Sequence, residues 1–448
     1  MTKAQFCEKY NLTEGQFRGT EKIEGWLDLD SLTSIPEGFN PTVGGSLDLR
    51  NLTSIPEGFN PTVGDWLDLD SLTSIPEGFN PTVGGDFYLG SLTSIPEGFN
   101  PIVGGSLALG SLTSIPEGFN PPVGGGLYLN SLTSIPEGFN PTVGGGLYLN
   151  SLTSIPEGFN PTVGGDFYLG SLTSIPEGFS PTVGGGLNLG SLTSIPEGFN
   201  PTVGSDLFLG SLTSIPEGFN PTVGGRLDLR NLTSIPKGFN PTVGGDLSLR
   251  NLKSIPKGFN PTVGGDLYLN SLTSIPEGFN PTVGGDLYLG SLPADIRTSI
   301  TYNKLPEGYV FDWGNYCKVD GMFTEVISRK GLIWRVKQVN QSTPLYIVFD
   351  GNGRAAHGAT IKEAKASLIY KITDRDTSRY TNLTLSSVLG FPQMVELYRV
   401  ITGACAAGTR SFVESMQIEQ KDYSIKEVIK MTEGQYGNQS LVKFFNGK

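Results

Sequence analysis

The chain has one histidine and three cysteines, and these few groups bound the covalent chemistry open to it. His357 stands in Ala-Ala-His-Gly-Ala-Thr, read as a turn just before a helix, and Cys405 lies among small residues between Thr402 and Arg410. A cysteine nucleophile needs a base within hydrogen-bond reach, so Cys405 and His357, with Arg410 close by in sequence, form the one Cys–His pair to weigh. Nothing in their spacing makes them meet, and the chain is read as non-enzymatic with no catalytic residue. Cys7, Cys317 and Cys405 are too few and too far apart for a disulfide framework or a zinc site, so no metal or cofactor is expected. The glycines of Gly403–Gly408 lack the following lysine of a phosphate-cradling loop.

The second set of residues is aromatic and falls on two registers of a twenty-residue period: Trp26 and Trp66 on one, and Tyr88, Tyr128, Tyr148, Tyr168, Phe208, Tyr268 and Tyr288 on the other. Tyrosine and tryptophan on a rigid exposed surface are typical anchors for a protein partner. The competing reading is that they stack on one another and only stabilise a sheet.

The element that must position them is a twenty-residue phrase, clearest from Leu47 as LDLRNLTSIPEGFNPTVG. Its isoleucine recurs every twenty residues from Ile35 to Ile275, and its Leu-x-Leu pair from Leu27/Leu29 to Leu287/Leu289, with Phe87 and Phe167 as the only changes. A fixed period of this length predicts a solenoid. Leu47 and Leu49 alternate with Asp48 and Arg50, the pattern of a strand with one buried face. Leu52, Ile55, Phe59 and Val63 continue the inward set. Pro56 and Pro61 exclude a helix or a central strand from the return, which is expected to be extended or a tight turn. Glycine pairs such as Gly44-Gly45 are expected to reverse the chain at positive φ, the first glycine being the stricter requirement because Asp65 takes the second place. Burial of six side chains falls short of the entropy cost of ordering twenty residues, so rungs must stack.

Residues 1–25 read as a helical cap, with capping boxes Thr2-x-x-Gln5 and Thr13-x-x-Gln16 and an apolar face of Phe6, Tyr10, Leu12 and Phe17. The solenoid occupies 26–312, its last copies degenerate: Leu292-Pro293 and Leu305-Pro306-Glu307-Gly308-Tyr309 are echoes. Residues 313–448 form an α+β domain. It has strands near 322–329, 331–339 and 344–350, a turn at 350–353, and capped helices opening at Thr360, Phe391-Pro392 and Ser424.

The phrase L-x-L-x-x-L-x-x-I-P resembles the leucine-rich repeat, which implies one parallel sheet on the face of a curved horseshoe. The family places an asparagine three residues after the second strand leucine, and here that position is Leu52, so a straighter β-solenoid is the alternative. The segment Gly358-x-Thr360-x-x-Glu363-Ala364 after three strands looks like a small antitoxin-type fold related to double-stranded-RNA-binding domains. The whole chain, with KYNLTEGQF, the IPEGFNPTVGG repeats, AHGATIKEA and YRVITGACAAGTRSFVE, resembles leucine-rich-repeat proteins of gut bacteriophages and Bacteroidales. That resemblance implies a phage or mobile-element setting and names no activity.

Charge divides the molecule. Residues 26–290 carry 24 acids and 7 bases, net −17, whereas residues 291–448 carry 15 acids and 20 bases, net +5. The array is therefore unsuited to phosphate contacts, and a nucleic acid or nucleotide would be held only by the C-terminal domain, through Arg375, Arg379, Arg399, Arg410, Lys421, Lys426 and Lys430. No transmembrane-length stretch or apolar leader is read, and the expected location is a reducing cytoplasm. The expected function is recognition of a protein partner, for a phage protein a host or defence component, through the sheet face. Nucleic-acid binding and a Cys-dependent activity of the C-terminal domain are the alternatives.

Overall fold

The computed structural model describes residues 2–305, 309–339, 341–372 and 375–446. The Pro306–Gly308 part of the degenerate echo lies outside the described residues.

The twenty-residue phrases stack as parallel rungs. Each contributes a two-residue strand such as Leu47–Asp48 to a fourteen-stranded sheet, here the leucine sheet, in which every residue pairs with its equivalent twenty positions away. Leu47, Leu49, Leu52, Phe59 and Val63 are buried, and Ile55 closes the core edge half-buried. The return carries a second parallel ladder that the prolines had argued against. Thr62–Val63 and its equivalents form a valine sheet directly after Pro61. The proline is tolerated there because only its carbonyl joins the ladder, accepting from Thr82 N–H at 3.3 Å. Where Pro122 replaces the threonine the donor is gone. The sheet accordingly splits into five- and nine-stranded pieces, joined only by single bridges from Val123 to Val103 and Val143.

The glycines divide their roles differently from the sequence expectation. Positive φ falls not in the Gly-Gly pair but at Gly58, +76°, in the Pro56–Phe59 turn, where Phe59 N–H donates to Pro56 O at 3.3 Å. The pair is needed for close approach between rungs. A Cβ at Gly64 would lie 2.2 Å from the Gly44 carbonyl oxygen, whereas one at Gly85 would meet the Asp65 backbone at 2.9 Å. The first glycine is thus the tighter site, and Asp65 and Ser205 occupy the second.

An aromatic row runs the length of the stack, and a polar row runs beside it with a break at Ser180. Phenylalanines from Phe39 to Phe279 stack at 6.1–6.4 Å between ring centres. Beside them runs an asparagine ladder: Asn40 Oδ1 accepts from Asn60 N–H at 2.7 Å, and Asn60 Nδ2 donates to Gly78 O at 3.0 Å. The ladder missing at Leu52 is therefore present at Asn40 and its equivalents. Tyrosine rings on the leucine sheet stack more closely, 4.4–5.0 Å.

The first rung is covered by helices α1 (Lys3–Tyr10) and α2 (Glu14–Arg18), both with complete capping boxes. Phe6 and Phe17 pack on Phe39 at 4.9 and 5.3 Å, extending the aromatic row, and Lys22–Ile23 already pairs with Thr42–Val43. At the other end a short helix, α3 (Ala294–Ser299), leads to Asn303–Lys304, the last strand of the valine sheet.

The C-terminal domain is an antiparallel meander of β1 (Phe311–Asp312), β2 (Tyr316–Val319), β3 (Met322–Lys330), β4 (Ile333–Lys337), β5 (Pro344–Phe349) and β6 (Ala355–Gly358). Helix α4 (Ile361–Ile372) packs on β5 and β6, and α5 (Phe391–Thr402), α6 (Ala406–Ser415), α7 (Ile425–Met431) and α8 (Asn438–Asn446) follow. The domain docks on the glycine corner of the solenoid. Trp313 Nε1 donates to Thr242 O at 3.2 Å, and a Cβ at Gly264 would strike the Phe311 ring at 2.9 Å. No described helix is long and apolar enough to cross a membrane.

Candidate functional site

Two regions hold the groups with chemistry to offer. The first is the outer face of the leucine sheet. Strand alternation points the residue between the leucines, and the one before them, outward. Trp26 is 60% exposed, Tyr88 37% and Tyr288 39%, while Trp66, Tyr128, Tyr148, Tyr168, Phe208 and Tyr268 are half-buried. The half-burial comes from stacking along the sheet, Tyr128 on Tyr148 and Tyr148 on Tyr168, so the rings form one ridge. Burial against these neighbours pushes the Tyr148 hydroxyl up to about 12, leaving it a donor.

The face is not open everywhere. Asp48 and Asp228 are buried beneath Arg50 and Arg230, and Ser248 is buried as well. The aspartates before the strands bridge rungs: Asp86 Oδ1 accepts from Ser106 N–H and Asp166 Oδ1 from Gly186 N–H, both at 2.6 Å. Their second oxygens accept from Tyr88 and Tyr168 hydroxyls at 3.2 and 3.4 Å. Arg250 lies over the Tyr268 ring at 4.5 Å, an internal instance of a cation seated on this face. From residue 51 to residue 225 the chain has 15 acids and no Lys, Arg or His.

The second region is inside the C-terminal domain. His357 and Cys405 do meet there, joined by Asp320, which the sequence did not single out; their donor atoms all lie within 4.8 Å of one another. His357 is in the middle of β6 rather than in a turn, because Ala355–Gly358 pairs with β5. Asp320 sits in the β2–β3 hairpin at φ +51°, with Gly321 following at +81°. Cys405 caps α6, its Sγ accepting from Gly408 N–H at 3.2 Å. Lys371, from the last turn of α4, binds Asp320 Oδ1 and donates to Ala355 O at 3.0 Å.

This geometry does not make an activated nucleophile. Burial, reinforced by the Asp320 charge, pushes the Cys405 thiol up to about 12, and burial with the nearby Lys371 ammonium lowers His357 to about 3. The pair is a neutral thiol beside a neutral imidazole, not a thiolate–imidazolium pair. Both ring nitrogens of His357 and Oδ2 of Asp320 are buried without a hydrogen-bond partner.

Arg410 is not part of this cluster; it is exposed and reaches Glu363 at 3.5 Å. The other basic residues proposed as a nucleic-acid surface are largely engaged. Arg375 donates to Val400 O at 2.7 Å, Arg379 pairs with Glu396 at 2.8 Å, Arg399 donates to Ala404 O at 3.2 Å and Lys421 pairs with Glu419 at 2.5 Å. An apolar cavity of about 70 Å³ between α5, α6 and α7 opens onto Asp320 and Cys405. Compared with protein-family models, with curated proteins and with solved structures, the chain matches none.

Proposed function

We propose that the solenoid is a recognition surface, and that the outer face of its leucine sheet binds a protein partner carrying basic side chains. The observation that carries this reading is the contrast within the repeat. The inward leucine, phenylalanine and valine positions hardly change from rung to rung, whereas the residue between the strand leucines runs through Asp, Tyr, Ala, Asn, Phe and Ser. Freedom confined to one rigid face is what selection of a partner uses.

The chemistry of that face supports a cationic partner. The Tyr128–Tyr168 ridge lies within the stretch that has acids and no bases, so its Coulomb field favours approach of arginine and lysine. Arginine on tyrosine is a contact the chain itself makes at Arg250 and Tyr268. The C-terminal domain is docked on the glycine corner at the rungs of Gly204–Gly264, C-terminal to the Tyr128–Tyr168 rungs, and serves as second contact or effector. In the phage setting that the sequence resembles, the partner is a host protein.

Affinity capture from host cells, with mass spectrometry, tests the reading. A partner retained by the intact chain should be lost from the Tyr128→Ala/Tyr148→Ala/Tyr168→Ala variant and released by raised salt. Capture of the same protein by both chains, insensitive to salt, would reject the face as the binding surface.

A further inference from the structure

We infer that Asp320, His357 and Cys405 form a binding site for a divalent transition metal of the zinc class, with one coordination position open to the apolar cavity. Three elements that are distant in sequence, the β2–β3 hairpin, the centre of β6 and the N-terminus of α6, deliver a carboxylate, an imidazole and a thiol to one point. Carboxylate oxygen, imidazole nitrogen and thiolate sulfur are the donor set zinc accepts.

The independent observation is the state of the donors. His357 is 0% exposed, and neither of its ring nitrogens has a hydrogen-bond partner. Leaving buried polar atoms unpaired costs free energy, so such atoms are normally satisfied. A metal ion on one nitrogen removes that cost. Asp320 is set up as a one-oxygen ligand: Lys371 holds Oδ1, and Oδ2 is buried and unpartnered. Lys371 thereby acts as the outer partner that orients a ligating carboxylate. Donor atoms around a tetrahedral zinc stand roughly 3.3–3.8 Å apart, so the cluster needs to contract by about 1 Å, within reach of side-chain rotation.

Binding replaces the Cys405 S–H bond with a metal–sulfur bond, and the thiol proton leaves to solvent. Neutral His357 needs no deprotonation. One divalent ion, one thiolate and one carboxylate cancel among themselves, and the Lys371 ammonium on Asp320 leaves the cluster one positive charge, which an anionic donor in the open fourth position would neutralise. The cavity meets the cluster at Asp320 and Cys405 and is otherwise walled by groups such as Met394, Phe412, Ile418 and Met431. Three protein donors beside a cavity leave the fourth position for water or one donor atom of a small apolar ligand.

The test uses the full chain, stripped with a chelator and titrated with cobalt(II) chloride and zinc chloride. The inference expects one equivalent of metal, a thiolate-to-cobalt charge-transfer band and tetrahedral ligand-field bands. Cys405→Ser should abolish the charge-transfer band, Asp320→Asn and His357→Gln should weaken binding at least tenfold, and Cys7→Ser should change nothing. Absence of stoichiometric cobalt binding by the folded wild-type chain overturns the inference, as does a charge-transfer band that persists in Cys405→Ser. If either histidine or cysteine variant fails to fold, Asp320→Asn and the wild-type spectrum still decide, because an octahedral spectrum without the sulfur band also overturns it.

Discussion

Alanine in place of two glycines six residues apart should have very different consequences. Gly138 sits at φ +80° with no atom within 4 Å of an added Cβ. Gly138→Ala therefore meets only the backbone cost of a left-handed residue, about 1–2 kcal/mol. At Gly144 φ is unexceptional, but a Cβ would lie 2.1 Å from the Gly124 carbonyl oxygen and 3.0 Å from its carbon. Relief requires the two rungs to part by about 1 Å, which strains the overpacked corner by roughly 1–3 kcal/mol. It also weakens the bonds from Gly144 N to Val123 O and Gly145 N to Gly125 O, now 3.0 and 2.8 Å, at about 1 kcal/mol each. The sum is about 3–5 kcal/mol. Because an array of rungs unfolds in parts, native-state hydrogen exchange is the appropriate assay. Amides of residues 123–145 should exchange about a hundredfold faster or more in Gly144→Ala, and about five- to thirtyfold faster in Gly138→Ala. Gly145→Ser should be milder than Gly144→Ala, since Ser205 holds the equivalent place. Equal damage at Gly138 and Gly144, or greater damage at Gly138, would refute the division of glycines into turn formers and contact formers.

Pro122→Thr should join the two pieces of the valine sheet by restoring one ladder donor, stabilising the middle rungs by about 0.5–1.5 kcal/mol and slowing exchange at Val123; no gain would argue against proline as the cause of the break. Lys318, half-buried at the docking contact with its ammonium aimed at Gly224 O and Gly244 O, is lowered by desolvation of that group from 10.5 to about 8. Between those values the unfolded chain holds more protons than the folded one, so this group's contribution makes stability rise with pH from about 8. Over the same range Cys317 and Cys405, pushed up by burial to about 11 and 12, pull the other way, because their thiols ionise first in the unfolded chain. Denaturation followed by tryptophan fluorescence between pH 7.5 and 9 should therefore give a more positive slope of stability with pH in the native chain than in Lys318→Met; identical slopes would refute it.

The rung was legible because its signals are local. Alternation at Leu47 and Leu49, and the inward Leu52, Phe59 and Val63, follow from burial within one repeat. The same period carried a further signal that went unread: Asn40 and its equivalents sit between an invariant phenylalanine and an invariant proline, the mark of a side chain that bonds the next rung. The valine sheet was missed because a proline argues against a strand only if its own N–H lies in the ladder, and at Pro61 it does not. The glycine pair was misread for a related reason. Its constraint is set by the neighbouring rung, which a single phrase does not display.

In the C-terminal domain the strands and the helix at Thr360 follow from β-branched runs and capping residues, whereas the His357–Cys405–Asp320 cluster is purely tertiary. Asp320 left one faint trace, an Asp-Gly pair between two strand-like runs. The Tyr128–Tyr168 row and the stacking of its rings were both legible from the period, whereas how far each ring is buried depends on side-chain rotamers that the period does not set.

The central claim is that the tyrosine ridge, and not the acidic array as a whole, recognises the partner. Calorimetric titration of the captured partner separates the two, using the intact chain, the Tyr128→Ala/Tyr148→Ala/Tyr168→Ala variant, and a Glu137→Gln/Glu157→Gln/Glu177→Gln control on the exposed turns away from the sheet. A dissociation constant at least ten times larger for the tyrosine variant, with less than a threefold change for the control, is the predicted result. Undiminished affinity in the tyrosine variant, or an equal loss in both, would contradict it.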